Sequence, residues 1–211
     1  MHRPVPIPQQ SLRPPAAPRA ELAPFLTPSL MAVVTGARRR ALRDGDRQID
    51  TAHLLHSLIE SDPEAAAAFE DGRQLARVLG YLVQRSIGYG LRWQRSVEES
   101  GAGRRLPAAR AAEVRDGRGS GWSPAATAAL EEAFRRAAER GDPQARGLDL
   151  LAVVAADPES RAAEVLRRAG VDPAELSARA GAPAGARADA GTAALAEGSV
   201  PRPAGESSQQ V

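Results

Sequence analysis

Few residue types in this chain could carry chemistry. It contains no Cys, and all 28 of its basic residues are Arg, which excludes thiolate metal sites, P-loop lysines and Schiff-base lysines. His53 and His56 are three residues apart on an expected helix, a spacing at which both rings could face one metal ion. Two histidines do not complete a site, and we interpret His53 as a helix-terminal residue that bonds locally. We therefore expect no metal and no cofactor.

A nucleophilic serine is also not indicated. Ser57 directly follows His56, but neighbouring side chains on a helix point in different directions. The chain has no Gly-x-Ser-x-Gly segment, the turn on which many serine nucleophiles sit. The sequence predicts a protein that is not an enzyme.

Arginines beside aromatic residues could bind phosphates and stack on nucleic-acid bases. The stretches in question are Arg38-Arg39-Arg40 with Arg43 and Arg47, and Arg85, Arg92 and Arg95 around Tyr89 and Trp93. The formal charge is only +2, because acidic residues nearly balance the arginines. We interpret both stretches as solvated surface, so a nucleic-acid partner is not favoured.

Composition divides the chain into ordered and low-complexity parts. Residues 1–24 contain seven Pro, and residues 181–211 are rich in Ala, Gly, Pro and Ser, so both ends are expected to be disordered. Residues 97–121 form a predicted linker between two ordered segments, 25–96 and 122–180. The beginning lacks the apolar run of a signal peptide, and no apolar stretch is long enough to cross a membrane. We expect a cytoplasmic protein.

The two ordered segments resemble one another. Three short motifs recur at an offset of 96 residues and a fourth at 95, all in the same order. The pairs are Thr27-Pro28 with Ser123-Pro124, Gly45-Asp46 with Gly141-Asp142, His53-Leu54-Leu55 with Asp149-Leu150-Leu151, and Asp62-Pro63-Glu64 with Asp157-Pro158-Glu159. The order and spacing predict a structural unit that is present twice.

Each unit contains residues that are typical of the starts and ends of four helices. Five prolines follow a residue that can cap a helix N-terminus, namely Thr27, Asp62, Ser123, Asp157 and Asp172. Later helices are expected around 51–60, 63–71, 73–86, 147–156 and 158–169. Period-2 alternation does not persist long enough to predict a strand. We predict an all-α fold of about eight helices, in which two pseudo-symmetric units dock because the Ala-rich second unit could not bury enough apolar surface alone.

These motifs together resemble the Clp repeat, the amino-terminal double repeat of Clp/Hsp100 chaperone ATPases. The matching segments are Thr27-Pro28, Gly45, Thr51-Ala52-His53-Leu54-Leu55 and Leu58, and then Ser123-Pro124, Gly141, Leu150-Leu151 and Val165-Leu166-Arg167-Arg168-Ala169-Gly170-Val171-Asp172. The resemblance covers both ordered segments and implies a compact domain that binds substrates and adaptors, here without ATPase modules. The predicted linker is longer than the family norm.

The resemblance also implies which residues face a partner. Phe25, Leu26 and Trp122 precede the two helix starts that border the family's binding surface, although they could equally be hydrophobic staples on their own helices. The predicted partner-binding residues are Phe25, Leu26, Thr51, Trp122, Ser123 and Leu148. Family members that bind phosphorylated arginine carry a Glu at the places of Ala52 and Leu148, so phospho-arginine recognition is not expected here.

The sequence therefore favours a non-catalytic protein- or peptide-binding module. It would act as an adaptor, a substrate receptor or a competitor in Clp chaperone–protease pathways, with a Clp ATPase, an adaptor or a Clp substrate as partner. Two alternatives stay open. One is an Arg-rich accessory protein that binds nucleic acid, and the other is a protein that sequesters small-molecule ligands of Clp ATPases.

Overall fold

The computed structural model of the protein describes residues 23–46, 48–86, 97–99 and 121–183. These residues are mostly helical, as the sequence predicts. The helices are α1 (Pro28–Asp44), α2 (Thr51–Ser61), α3 (Pro63–Ala66), α4 (Gly72–Ser86), α5 (Pro124–Glu139), α6 (Gly147–Ala156), α7 (Arg161–Arg168) and α8 (Pro173–Gly181). The two predicted tails, except residues 23–24 and 181–183, and most of the predicted linker lie outside the described residues.

Helices α1 and α5 begin and end as the sequence predicts. The side chains of Thr27 and Ser123 accept hydrogen bonds from backbone N–H groups in the first turn, at 3.3 and 3.0 Å. Gly45 and Gly141, which follow the two helices, adopt the left-handed conformation with φ of 71° and 79°. Each helix buries an apolar face, which consists of Leu30, Val33, Val34, Ala37 and Ala41 on α1 and of Ala126, Ala129, Leu130, Ala133 and Ala137 on α5.

The start of α7 differs from the prediction. Asp157 was expected to cap a helix from Pro158, but its carboxylate accepts from the N–H of Glu159 in a turn, and α7 begins only after Ser160. Ser160 can serve as the cap because its hydroxyl accepts from the N–H of Ala163 at 3.0 Å and donates to a carbonyl of α6. Helix α3 is likewise shorter than expected and ends at Ala66.

Two short strands were not expected. β1 (Gln48–Ile49) pairs in parallel with β2 (Gly121–Trp122), and the N–H of Ser123 donates to the carbonyl of Ile49 at 2.9 Å. Strands of two residues are too short to leave an alternating pattern in a sequence. They join the segment before α2 to the segment before α5.

An equivalent backbone contact is found 96 residues away, and there the first half supplies the segment before its first helix and the second half supplies the partner. The N–H of Thr27 donates to the carbonyl of Ala145 at 3.1 Å, and the N–H of Ala145 donates to the carbonyl of Phe25 at 2.9 Å. The segment before α1 is thereby joined to the segment before α6. Each half of the chain thus holds the segment that leads into the other half's first helix.

The apolar interior is shared by both halves. One cluster of buried side chains includes residues of all eight helices, with Leu54 and Leu55 of α2 and Leu150 and Leu151 of α6 fully inaccessible. Because neither α2 nor α6 exposes an apolar face to solvent, they are the central helices of the described structure.

A second exchanged contact joins the helix ends. The Nε of Arg77 on α4 donates to the carbonyl of Ala169 at 2.9 Å, and the Nε of Arg179 on α8 donates to the carbonyl of Ala68 at 3.1 Å. Both carbonyls lie just beyond the end of a short helix, where they lack a partner within the helix. The two arginines satisfy them from the opposite half of the chain.

Candidate anion-binding site

The N-termini of three helices meet at one buried place. They belong to α2, which begins at Thr51, to α5, which is capped by Ser123, and to α7, which begins at Arg161. The first backbone N–H groups of a helix have no partner within it, and the helix dipole makes that end favourable for negative charge. The arrangement therefore suits an anionic group.

A carboxylate from a distant part of the chain occupies this place. Glu98, only 4% exposed, accepts hydrogen bonds from the N–H of Thr51 at 2.9 Å, the hydroxyl of Ser123 at 2.8 Å and the N–H of Arg161 at 2.7 Å. The hydroxyl of Thr51 also donates to it. We call these four donor groups of Thr51, Ser123 and Arg161 the Glu98 cradle.

The cradle is charge-neutral in its direct contacts to Glu98, and this affects the acid. Burial raises the pKa of the Glu98 carboxyl and the negative charge of Asp50 raises it further, while hydrogen bonds from Thr51 and the N–H of Arg161 act in the opposite direction. The net pKa lies above the ordinary value for glutamic acid. Glu98 is thus bound by dipoles and not neutralised by a cation in these contacts.

Asp50, the residue before Thr51, has a different environment. It is fully buried, and its carboxylate contacts the guanidinium groups of Arg85 and Arg161, the latter at 2.6 Å. Burial alone would raise the pKa of Asp50, but His53, Arg85 and Arg161 outweigh it and hold the pKa well below the usual range. Asp50 also caps α2, because it accepts from the N–H of His53 at 3.0 Å.

His53 bonds locally, as its position in the sequence suggested. Its Nδ1 lies 2.7 Å from a carboxylate oxygen of Asp50, and its Nε2 lies 3.0 Å from a carboxylate oxygen of Asp46. Burial opposes the charged ring, but these two acids outweigh it and raise the pKa of His53.

Asp44, Asp46 and His53 place three possible metal-ligand atoms within 4.8 Å of one another. Other groups already contact the acids, however. The Arg85 guanidinium lies 3.2 Å from Asp46, and the hydroxyl of Ser86 donates to Asp44 at 2.9 Å. A guanidinium in contact with one of the ligands disfavours a second cation, and we assign no metal here.

His56 faces away from His53. Its Nδ1 lies 3.2 Å from Arg40 and its Nε2 lies 3.1 Å from Glu60, so the two rings do not converge on one point. Burial and the charge of Arg40 lower the pKa of His56 to about 3. Ser57 packs against Gly36 instead, where an added Cβ would lie 3.0 Å from its hydroxyl. His56 and Ser57 therefore do not form a nucleophile and base.

The structure brings two of the six predicted partner-binding residues together, Thr51 and Ser123, on the Glu98 carboxylate. The others lie elsewhere. Phe25 is half-buried with its ring edge-on to Phe134, at a centroid distance of 6.3 Å, and Trp122 is half-buried against the core. Leu26 and Leu148 are buried, at 2% and 7% exposure.

The arginine stretches are only partly described. On α1, Arg38 and Arg39 are exposed, whereas Arg40 pairs with Glu60 and Arg43 lies 3.4 Å from Asp44. Arg85 contacts Asp46 and Asp50 inside the structure. Arg47, Tyr89, Arg92, Trp93 and Arg95 lie outside the described residues.

Sequence reasoning missed the central residue of the site. Glu98 falls in the segment predicted as a linker, where it stands beside Glu99 and shows neither periodicity nor a motif. Only Ser123 and Thr51, at the starts of two expected helices, pointed toward this place.

Comparison with models of known protein families gives no match to the chain, and none of the curated proteins matches it. Among the described helices, none combines the length and the apolar character needed to span a bilayer.

Proposed function

We propose that the chain is a non-catalytic module that binds a protein or peptide partner in the cytoplasm, built as a tandem pair of four-helix units of the Clp-repeat kind. Its partner would be a Clp ATPase, an adaptor or a Clp substrate. The proposed role is that of an adaptor, a substrate receptor or a competitor.

The contacts exchanged between the halves support the tandem arrangement. One hydrogen bond runs from Thr27 to Ala145 and another from Ser123 to Ile49. The two donors are 96 residues apart in the sequence, and so are the two acceptors, which is the repeat offset. The arginine contacts from α4 and α8 also run in both directions between the halves, although they do not fall at the offset of 96 residues. Two copies of one unit that dock face to face would produce such pairs.

The Glu98 cradle is the observation that carries the binding role. Three helix N-termini converge there and hold a buried carboxylate through four donors. Thr51 and Ser123, two residues that the resemblance assigns to partner contacts, supply three of the four donors. A site that binds an acidic group at the junction of two units is suited to recognising a side chain of another protein.

A pull-down from the lysate of the source organism tests the proposal. The bait is the full chain, and the matched variants are Thr51→Val, which removes one cradle hydroxyl, and Thr127→Val, which makes the same change on α5 away from the cradle. We expect wild type and Thr127→Val to enrich a Clp ATPase, adaptor or substrate, and Thr51→Val to enrich it less.

The recovered protein is then purified and its affinity for each variant is measured by calorimetry. Circular dichroism establishes that every bait is folded. A folded wild-type bait that recovers no Clp component overturns the proposal, as does equal affinity of the recovered protein for the two threonine variants.

A further inference from the structure

We propose that Glu98 is a built-in ligand of its cradle, and that the cradle recognises a Glu in an extended segment of a partner, which must displace Glu98 in order to bind. The proposal rests on the proposed partner-binding function. It adds the chemistry of the ligand and a means of regulation, because the free chain would occupy its own site.

Residues 97–99 are held in the manner of a bound peptide. Val97 and Glu99 are exposed, Val97 at 49%, and only the side chain between them is buried. The three residues belong to no helix or strand. A segment that inserts one side chain while its neighbours stay in solvent has the geometry of a short peptide anchored at a single position.

The anchor contacts are all to positions remote in the chain. Thr51, Ser123 and Arg161 lie 47, 25 and 63 residues from Glu98. The backbone carbonyl of Glu98 also lies 3.5 Å from the N–H of Ala125 in the first turn of α5. The site thus meets main chain as well as side chain, which a peptide supplies and an isolated small anion does not.

The donor arrangement matches a carboxylate. One oxygen of Glu98 accepts from the N–H of Thr51 and the hydroxyl of Ser123, and the other accepts from the N–H of Arg161 and the hydroxyl of Thr51. The hydroxyl of Thr51 accepts in turn from the N–H of Ala162 at 3.0 Å, which directs its proton toward Glu98. Each carboxylate oxygen receives two donors.

The fixed charge of Asp50 argues against a more highly charged ligand. Asp50 adjoins Thr51 and stays ionised between two arginines, so it repels any anion in the cradle. That repulsion is greater for a phosphate dianion than for a carboxylate. It weakens the hold on Glu98 and on a partner's Glu alike.

The test removes the Glu98 side chain from the protein and supplies it again on a separate peptide. The probe is a fluorescent peptide with the chain's own residues 96–100, Ser-Val-Glu-Glu-Ser, capped at both ends, and its affinity is measured by fluorescence anisotropy. The proteins are full-length wild type, Glu98→Ala, and Glu99→Ala as the control at the exposed neighbour. We expect Glu98→Ala to bind the peptide at least about tenfold more tightly than the other two, because its site is vacant.

Two further peptides locate the anchor. Replacing the first Glu of the probe with Gln is expected to weaken binding to Glu98→Ala at least about tenfold, and replacing the second Glu should change it by less than about twofold. Equal binding by the two Gln peptides overturns the proposal. So does a folded Glu98→Ala protein that binds the probe no better than wild type.

Glu98→Gln keeps the size of the side chain and replaces Glu98→Ala if the latter fails to fold. If both variants unfold, Glu98 is a structural residue that no partner could displace, and the proposal is wrong. The peptide assay needs no natural partner. A negative pull-down with a positive peptide assay would therefore reject the proposed Clp role and leave the cradle assignment standing.

Discussion

The first turn of α2 and the first turn of α6 are equivalent positions 96 residues apart. At each helix N-terminus lies a carboxylate, but the two carboxylates come from different parts of the chain. At α2, the side chain of Thr51 bonds to Glu98, which comes from a remote segment. At α6, Gly147 has no side chain, and the carboxylate of Asp62 fills the space instead. A Cβ on Gly147 would collide with a carboxylate oxygen of Asp62.

The two acids differ in whether they can leave the helix N-terminus that they contact. Asp62 is the cap of α3 and accepts from the N–H groups of Glu64 and Ala65 at 3.0 and 3.1 Å. It cannot leave α6 without uncapping its own helix. Glu98 belongs to no helix of its own, so its departure would cost only the contacts of the cradle and the backbone hydrogen bond from Ala125. An acid that caps its own helix is fixed in place, whereas an acid outside any helix or strand, such as Glu98, can be exchanged.

The charges that flank the two helix starts are also exchanged. Asp50 and His53 at α2 correspond to Arg146 and Asp149 at α6, where Asp149 accepts from the N–H of Arg146 at 2.9 Å. The arginine side chains on Asp50 are about 10% exposed, whereas that of Arg140 on Asp149 is 40% exposed. The ion pairs at the start of α2 are therefore more deeply buried than the ion pair at the start of α6.

The largest expected contrast follows from that burial. Asp50→Ala removes a buried carboxylate from two guanidinium groups and should lower the free energy of unfolding by about 3–5 kcal/mol. Asp149→Ala leaves a more exposed arginine behind and should cost about 1–2 kcal/mol. Urea denaturation of both variants checks this, and equal losses would show that the two sites do not differ in burial as described.

A side chain at Gly147 tests the packing of Asp62. Gly147→Ala should lower the free energy of unfolding by about 1–3 kcal/mol, because Asp62 must move. Gly72→Ala, at the same position of α4 with nothing within 4 Å, is the control and should change it little. Combining Gly147→Ala with Asp62→Ser should recover part of the loss in a double-mutant cycle. Simple additivity would contradict the close contact.

The histidine contribution to the pH dependence of stability should come from the α2 side, since α6 contains no His. The pKa of His56 falls from 6.5 to about 3 in the fold, so the unfolded chain binds the extra proton. The resulting stability is complete above pH 6.5 and is lost as the pH falls toward 3, by at most about 1.4 kcal/mol per pH unit. His56→Gln should flatten that acid limb in urea denaturation at several pH values.

His53 has the opposite sign. Because its pKa is raised in the fold, its contribution is present below pH 6.5 and is lost as the pH rises through the folded value. His56→Gln should therefore leave the alkaline limb unchanged. A variant that alters both limbs would show that the two rings titrate together.

The smallest effects are expected at the exchanged arginine contacts. Arg77→Gln and Arg179→Gln each remove a hydrogen bond to a helix-end carbonyl and should lower the free energy of unfolding by about 0.5–1.5 kcal/mol. Arg179→Gln also removes the ion pair with the exposed Glu70, which should add little. The exposed Arg39→Gln serves as control and should stay within about 0.5 kcal/mol of wild type. A loss at only one of the two arginines would mean that the halves are not held symmetrically.

The sequence could predict those parts of the fold that depend on neighbouring residues alone, such as helix caps and the spacing of apolar residues. Thr27 and Ser123 before Pro fix two helix starts, and the apolar spacing from Leu30 to Ala41 fixes a buried face. The start of α7 was wrong because Asp157 and Ser160 are both good caps, and tertiary contact with α6 selects Ser160. Helix-capping propensity alone does not distinguish Ser160 from Asp157.

The cradle could not be predicted for a related reason. Its donors are ordinary first-turn groups of three helices, and its acid is one of 26 acidic residues with nothing local to distinguish it. Their meeting depends on how α2, α5 and α7 pack. The repeat made Thr51 and Ser123 candidates, but only the fold relates them to Glu98.

The hydrogen bonds that tie the lead-in segment of each half to the other half have a practical consequence. None of them uses residues 101–120, so a chain cut there would still possess every contact described between the halves. We expect two separately expressed fragments, ending and beginning within 101–120, to reassemble when mixed. The molecule would then serve as a split reporter whose fragments recognise each other by pairing β1 with β2 and Leu26 with Ala145.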